Sequence, residues 1–199
     1  MSFAQNLQTG KIAEGLIANW LIAKGSAVMP AYEIELSSGK GPQLFSSDGG
    51  LVAPDMLVFN NHGITWVESK HKSVFTWHRV TQKWTTGIDL RHYGDYLHVA
   101  KQTKRPVWIL FFHRESKPAE RDIQAGCPPE CPTGLFGGEL FSMVTTENHR
   151  SPAFDPGRTG VIGHGRSGMV YWAVDDLRML ATKEEVESVG RAIRSMNAA

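Results

Sequence analysis

An α/β fold is predicted by three stretches of this chain: an amphipathic segment over 11–24, an alternating apolar segment over 51–72 interrupted by a chain reversal, and a second amphipathic segment feeding a continuous apolar run at 107–112. Helix, paired strands, helix, buried strand is the order of a sheet with helices laid against it. In the first segment Ala13, Leu16, Ile17, Trp20 and Leu21 recur at helical spacing and form one stripe, with Glu14 at its border and so able to face the sheet. From Leu51 to Lys72 the residues alternate and are rich in Val, Ile, Phe and Trp, broken at Asn60-Asn61-His62-Gly63, whose residue types favour a tight reversal. Two antiparallel strands follow from that pattern.

Residues 70–86 interleave cations with Thr and aromatic residues around a polar Thr81-Gln82 pair, which predicts a second hairpin or wing. Gly87 reads as a break and Asp89 as an N-cap for a helix to about Thr103, with Ile88, His92, Tyr93, Tyr96, Leu97 and Ala100 on its inner side. Arg105-Pro106 then opens the run Val107 to Phe112, a central strand covered on both faces. Beyond His113, Pro, Gly and charged residues predict a long irregular insertion over about 113–168, with a strand at Glu139 to Thr145 inside it. Met169 to Val174 reads as another strand. Asp175-Asp176 and Thr182-Lys183-Glu184-Glu185 read as helix starts, the last helix reaching about Met196.

The chemistry is in the first hairpin. With the reversal centred between Asn61 and His62, Phe59 faces Ile64, and counting back sets Asp55 opposite Glu68. Directly opposed like charges, with Cβ atoms only about 4.5–5.5 Å apart, destabilise a sheet. A divalent cation between them reverses the sign. Lys70 lies two residues beyond Glu68, so its ammonium leaves the same face. Two carboxylates that can hold a hard cation, beside an amine, suit attack of water on a phosphodiester: the cation generates the nucleophile and offsets charge on the leaving oxygen. Lys70 then positions or deprotonates the water, or offsets charge on the phosphoryl group. Glu-x-Lys by itself carries little information; its conjunction with Pro-Asp at a hairpin's spacing and with flanking helices is what carries the reading.

Pro54, Asp55, Glu68 and Lys70 fill the motif of the PD-(D/E)xK nuclease superfamily, which the chain resembles over roughly its first 112 residues and again from Met169 onward. That resemblance implies a restriction-endonuclease-like core, a mixed central sheet flanked by helices, here with a β-hairpin wing and the insertion. It implies Mg²⁺ or Mn²⁺ held by Asp55, Glu68 and the main-chain carbonyl of Ser69, with Lys70 catalytic and Glu14, from the first helix, as a further acid for metal and catalysis. His92 and Tyr96, on the second helix, are the accessory candidates; Gln102 is less well placed. The expected activity is hydrolysis of phosphodiester bonds in DNA, by an endonuclease. The alternative is a catalytically silent module of the same fold that binds nucleic acid or a partner protein.

Composition sets the outer limits. The 199 residues, 41% of them hydrophobic, suffice for one well-buried core, so a single domain over 1–199 is expected. No apolar run reaches bilayer length and the first ten residues lack the layout of a secretory signal, which points to a cytoplasmic protein with no membrane partner. With 21 basic and 20 acidic residues the net charge is only +1, so DNA binding must rest on a local cationic surface. The expected contacts are Lys72, Arg79 and Lys83 to the backbone, with Trp77 and Trp84 stacking or packing on sugars and bases. Paired cuts on two strands would favour a homodimer.

Two features are set aside. Cys127 and Cys131, with His113, His149 and His164, supply only one short-spaced ligand pair where tetrahedral zinc needs two, and read as loop thiols. Gly160 to Ser167 imitates a phosphate-binding loop with Arg in place of Lys, but it neither follows a strand nor opens a helix.

Overall fold

A computed structural model describes residues 3–31, 42–46, 49–152 and 168–197. Its centre is a six-stranded mixed sheet built from β1 (Ala27–Pro30), β4 (Met56–Asn60), β5 (Gly63–Lys72), β8 (Val107–His113), β9 (Gly134–Glu139) and β12 (Arg178–Ala181), in that spatial order. β5 and β8 run parallel; every other neighbouring pair in this sheet is antiparallel. β2 (Gln43–Ser46) and β3 (Gly49–Val52) form a small separate hairpin, so Leu51 and Val52 do not belong to the strand that follows them, contrary to the reading of 51–72 as two strands. A second sheet has the order β10 (Glu147–Ser151), β11 (Met169–Ala173), β7 (Lys83–Asp89), β6 (Thr76–His78).

Helices α1 (Phe3–Ala23) and α5 (Lys183–Asn197) cover one face of the central sheet. Leu16, Ile17 and Trp20 of α1 pack there with Met56, Val58, Val67, Leu110, Phe112 and Val186, and Leu21 lies partly buried beside them. Each such side chain withdrawn from water contributes about 1.5–3 kcal/mol. The Ala13 side chain lies outside the described residues. The other face carries α2 (Leu90–Thr103), α4 (Leu140–Val144) and the second sheet, joined in one core by Trp66, Phe75, Tyr96, Val99, Ile109, Phe111, Leu140 and Trp172. The result is the expected α/β architecture, a mixed sheet flanked by helices.

The start of α2 is as expected: the Asp89 carboxylate accepts from the Arg91 main-chain N at 2.9 Å and satisfies one orphan donor of the first turn. Four expectations are corrected. Gly87 is not a break but an interior position of β7, where a Cβ would come within 2.2 Å of the Val170 carbonyl oxygen. A strand at 139–145 is replaced by α4, because Glu139 caps a helix by accepting from Ser142 N at 3.1 Å; the strand lies one segment earlier, in glycine-rich β9. There Gly137 lets β9 lie close on β8, since a Cβ would meet the Ile109 carbonyl oxygen at 2.5 Å. The stretch read as an irregular insertion thus supplies a strand of the central sheet, along with α3 (Glu120–Ile123), α4 and β10. Asp175-Asp176 end a single 3₁₀ turn, followed by β12 and not by a helix. Thr182 caps α5 by accepting from Glu185 N at 3.1 Å. The loop Gly160 to Ser167, with His164, lies outside the described residues.

Candidate active site

The β4–β5 hairpin turns at Asn60-Gly63 with Phe59 opposite Ile64, the register read from the sequence. The ladder ends at Met56 opposite Val67, and one further step sets Asp55 across from Glu68. The β4–β5 main-chain pairing ends there, while on the other side the β1–β4 register runs one step further, the Ala31 N donating to the Asp55 carbonyl at 2.8 Å. The Asp55 carboxylate fills the gap, its Oδ2 accepting from both the main-chain N and the Oγ of Ser69 at 2.8 Å each. Both bonds end on Oδ2. A residue in an extended strand presents its N–H and C=O on the same edge, so the Ser69 carbonyl emerges beside Asp55.

Glu68 is 1% exposed and forms an ion pair with Lys70, which leaves the same face of β5. Its Oε2 is buried and has no hydrogen-bond partner among the described residues. Burial pushes the carboxyl up to about 7, with the Asp55 charge adding to the rise while the Lys70 ammonium and the Tyr96 hydroxyl oppose it. Lys70 is depressed by burial, but Glu68, Asp55 and Glu14 together outweigh that effect and its pKa lies above the usual lysine value. Glu14, from α1, is close enough for its charge to act on Lys70. From α2, the Tyr96 hydroxyl lies near Glu68, and burial and then the Glu68 charge hold its phenol well above the ordinary value. His92 is pulled below the ordinary imidazole range by burial and then by the nearby Lys70 charge, which locates it at the rim of the same site. Asp55, Glu68, Ser69, Lys70, Glu14, Tyr96 and His92 are thus brought together by four elements.

The donor set fits a hard divalent cation. Two carboxylates at adjoining strand positions are like charges that a cation would reconcile, and the unpartnered Oε2 is a buried lone-pair donor of the kind hydrogen bonding normally satisfies. Among the described residues no group of three or more His, Cys, Asp or Glu side chains is arranged to hold an ion by itself. Among the described residues, Asp55 and Glu68 with main-chain oxygen from Ser69 are the donors that meet at this point.

The wing is built as a β6–β7 hairpin, yet its indoles do not serve as a stacking platform. Trp77 and Trp84 are 9% and 7% exposed and pack edge to face at 5.1 Å within the core. This corrects the expectation of base contact through those two rings: cross-strand neighbours in a hairpin that faces a sheet are its buried side. Arg79 stands exposed at the tip, whereas Lys83 pairs with Asp175 at 3.5 Å. Lys72 is partly buried at the end of β5. The Cys131 thiol is buried and donates to the Glu115 carbonyl at 3.2 Å, and Cys127 is a second free thiol. Among the described residues no helix is long and apolar enough to cross a membrane. The anchoring of Asp55 by the Ser69 side chain and main-chain N was missed from sequence. Its only local signal is a Ser between the Glu and Lys of the motif.

No family model matches the chain, and no curated protein matches it. Among solved structures it is similar to Hjc, a Holliday junction resolvase from the archaeal hyperthermophile Archaeoglobus fulgidus, at 9% sequence identity and a TM-score of 0.41, over 81% of this chain and 86% of that one. A likeness at that level carries no weight for what the site does.

Proposed function

We propose that this chain is a divalent-metal-dependent nuclease that hydrolyses phosphodiester bonds in DNA, cutting within strands. The observation that carries the reading is the Asp55–Glu68 pair at adjoining positions of one hairpin, with a buried unpartnered oxygen on Glu68 and the Lys70 ammonium on the same face. Asp55, Glu68 and the Ser69 carbonyl would hold Mg²⁺ or Mn²⁺, with Glu14 assisting from α1. When bound, such a cation makes water a stronger nucleophile and offsets charge gathered at phosphorus and the leaving oxygen.

The chain's own residues have separable parts. Ser69 fixes the Asp55 carboxylate through two donors to one oxygen, leaving the other unused by those bonds. Lys70, paired with Glu68 on the same face of β5, would act as a cation beside the phosphoryl oxygens or position the attacking water. Tyr96 is a positioning residue that orients Glu68, and His92, held neutral, lines the rim.

Alanine at Asp55 or Lys70, assayed with Mg²⁺ on linear and closed circular DNA, tests the reading. Loss of about 10²–10³-fold in cleavage is expected for each, the scale of removing one transition-state contact. Activity unchanged in either variant would overturn it. DNA binding without metal-dependent cleavage would make the chain a binding module instead.

A further inference from the structure

Beyond Lys70, β5 carries one more cation on the same face. Lys72 ends the strand directly across from His113 of β8, and the residue is half-buried there. Among the described residues its ammonium has no ion pair and no hydrogen bond. Among the described residues no carboxylate offsets it: burial and then the like charge of Lys70 act on it, both in the same direction, and pull its pKa down to about 8. His113 cannot help. Its ring is fully buried, stacked on Phe75 at 3.5 Å, and is kept neutral by burial and then by the Lys72 charge itself. A half-buried ammonium that no acid among the described residues pairs, two positions along the strand from Lys70 and on the same face, is placed to receive an anion from outside the chain.

We infer that Lys72 is an anion-binding position for the phosphate next to the one at Glu68 and Lys70, so that the site engages a phosphodiester chain over at least two successive phosphates. The inference rests on the nuclease reading for the identity of the first phosphate. Spacing supports a polymer over a small phosphate ester. Residues two apart on one strand lie roughly 6.4–6.8 Å apart, a separation comparable with that of neighbouring phosphates along one nucleic-acid strand. The row Glu68, Lys70, Lys72 then places acid, shared cation and flanking cation in line, and the strand direction gives the substrate backbone a direction. Lys72 would set affinity and register, while the reacting groups remain at Asp55, Glu68 and Lys70.

The test uses the full chain and a short duplex DNA. Binding is followed by fluorescence anisotropy in EDTA across a salt series, and cleavage in Mg²⁺, for the wild type, K72M, K72R and D55N. In K72M the slope of log K against log salt is expected to lose about 0.9 in magnitude, the value of one duplex phosphate contact. KM should rise while kcat changes little, K72R should behave as wild type, and K72M should melt no lower than wild type because it removes no ion pair or hydrogen bond within the described residues. An unchanged slope and KM in K72M, or weaker binding seen only together with a lower melting temperature, would overturn the inference. The two readings fail separately. D55N inactive with K72M indistinguishable from wild type sinks the Lys72 position alone; D55N fully active with a reduced slope in K72M removes the reacting site from Asp55 and leaves an anion position at Lys72.

Discussion

Glu68 has its carboxyl in the protein interior, one oxygen paired with Lys70 and the other unpartnered, and the consequence is a measurable proton. With its pKa lifted from 4.5 to about 7, chiefly by burial, the metal-free folded protein binds a proton between those values that the unfolded chain does not hold. That contribution to stability is complete below pH 4.5 and is lost as pH rises to about 7, on the order of 3 kcal/mol in all. Urea unfolding in EDTA across this window should therefore show a decline with pH that flattens in E68Q; the same slope in both proteins would place the titration elsewhere. Tyr96→Phe tests the positioning role. Removing the hydroxyl while keeping the ring should lower cleavage by about 10–100-fold, the usual scale for a residue that orients a ligand, with near-ultraviolet circular dichroism unchanged. Full activity in Y96F would remove Tyr96 from the site.

At the level of elements, the first hairpin was legible because its information is local: period-2 alternation and a four-residue reversal fix which faces Asp55, Glu68 and Lys70 share. The helix that opens at Asp89 was legible for the same reason, through its cap. What escaped was non-local. β9 and β12 are short strands whose place in the sheet is decided by partners far along the chain, and glycine-rich β9 reads as loop until Gly137 is seen against the Ile109 carbonyl. Trp77 and Trp84 escaped because a sequence shows an aromatic hairpin but not which side of it is covered. Their burial predicts the outcome of mutation. W84A should destabilise by about 3–5 kcal/mol, as for other buried aromatic truncations, and should leave the DNA affinity of the folded fraction intact, whereas R79A at the exposed tip should weaken DNA binding and leave the urea midpoint alone. A W84A protein as stable as wild type would contradict the packing described for the wing.

For the molecule as a whole, a net charge of +1 means that no long-range basic field draws nucleic acid to the surface. Recognition must then come from the row of charge along β5 and from the wing tip, with the two faces of the central sheet kept separate by their own cores. α1 brings Glu14 to the sheet from one side, and α2 brings Tyr96 and His92 from the other, so the proposed site sits where both layers meet the end of the β4–β5 ladder. The measurement that reaches the centre of this account is an anomalous difference map from a crystal soaked in Mn²⁺. A peak bounded by the carboxylates of Asp55 and Glu68 and the carbonyl of Ser69, absent in crystals of D55N, is the predicted result. An ordered Mn²⁺ elsewhere with nothing at this hairpin, or Lys70 still paired with Glu68 in a crystal that takes up no metal at millimolar Mn²⁺, would contradict it.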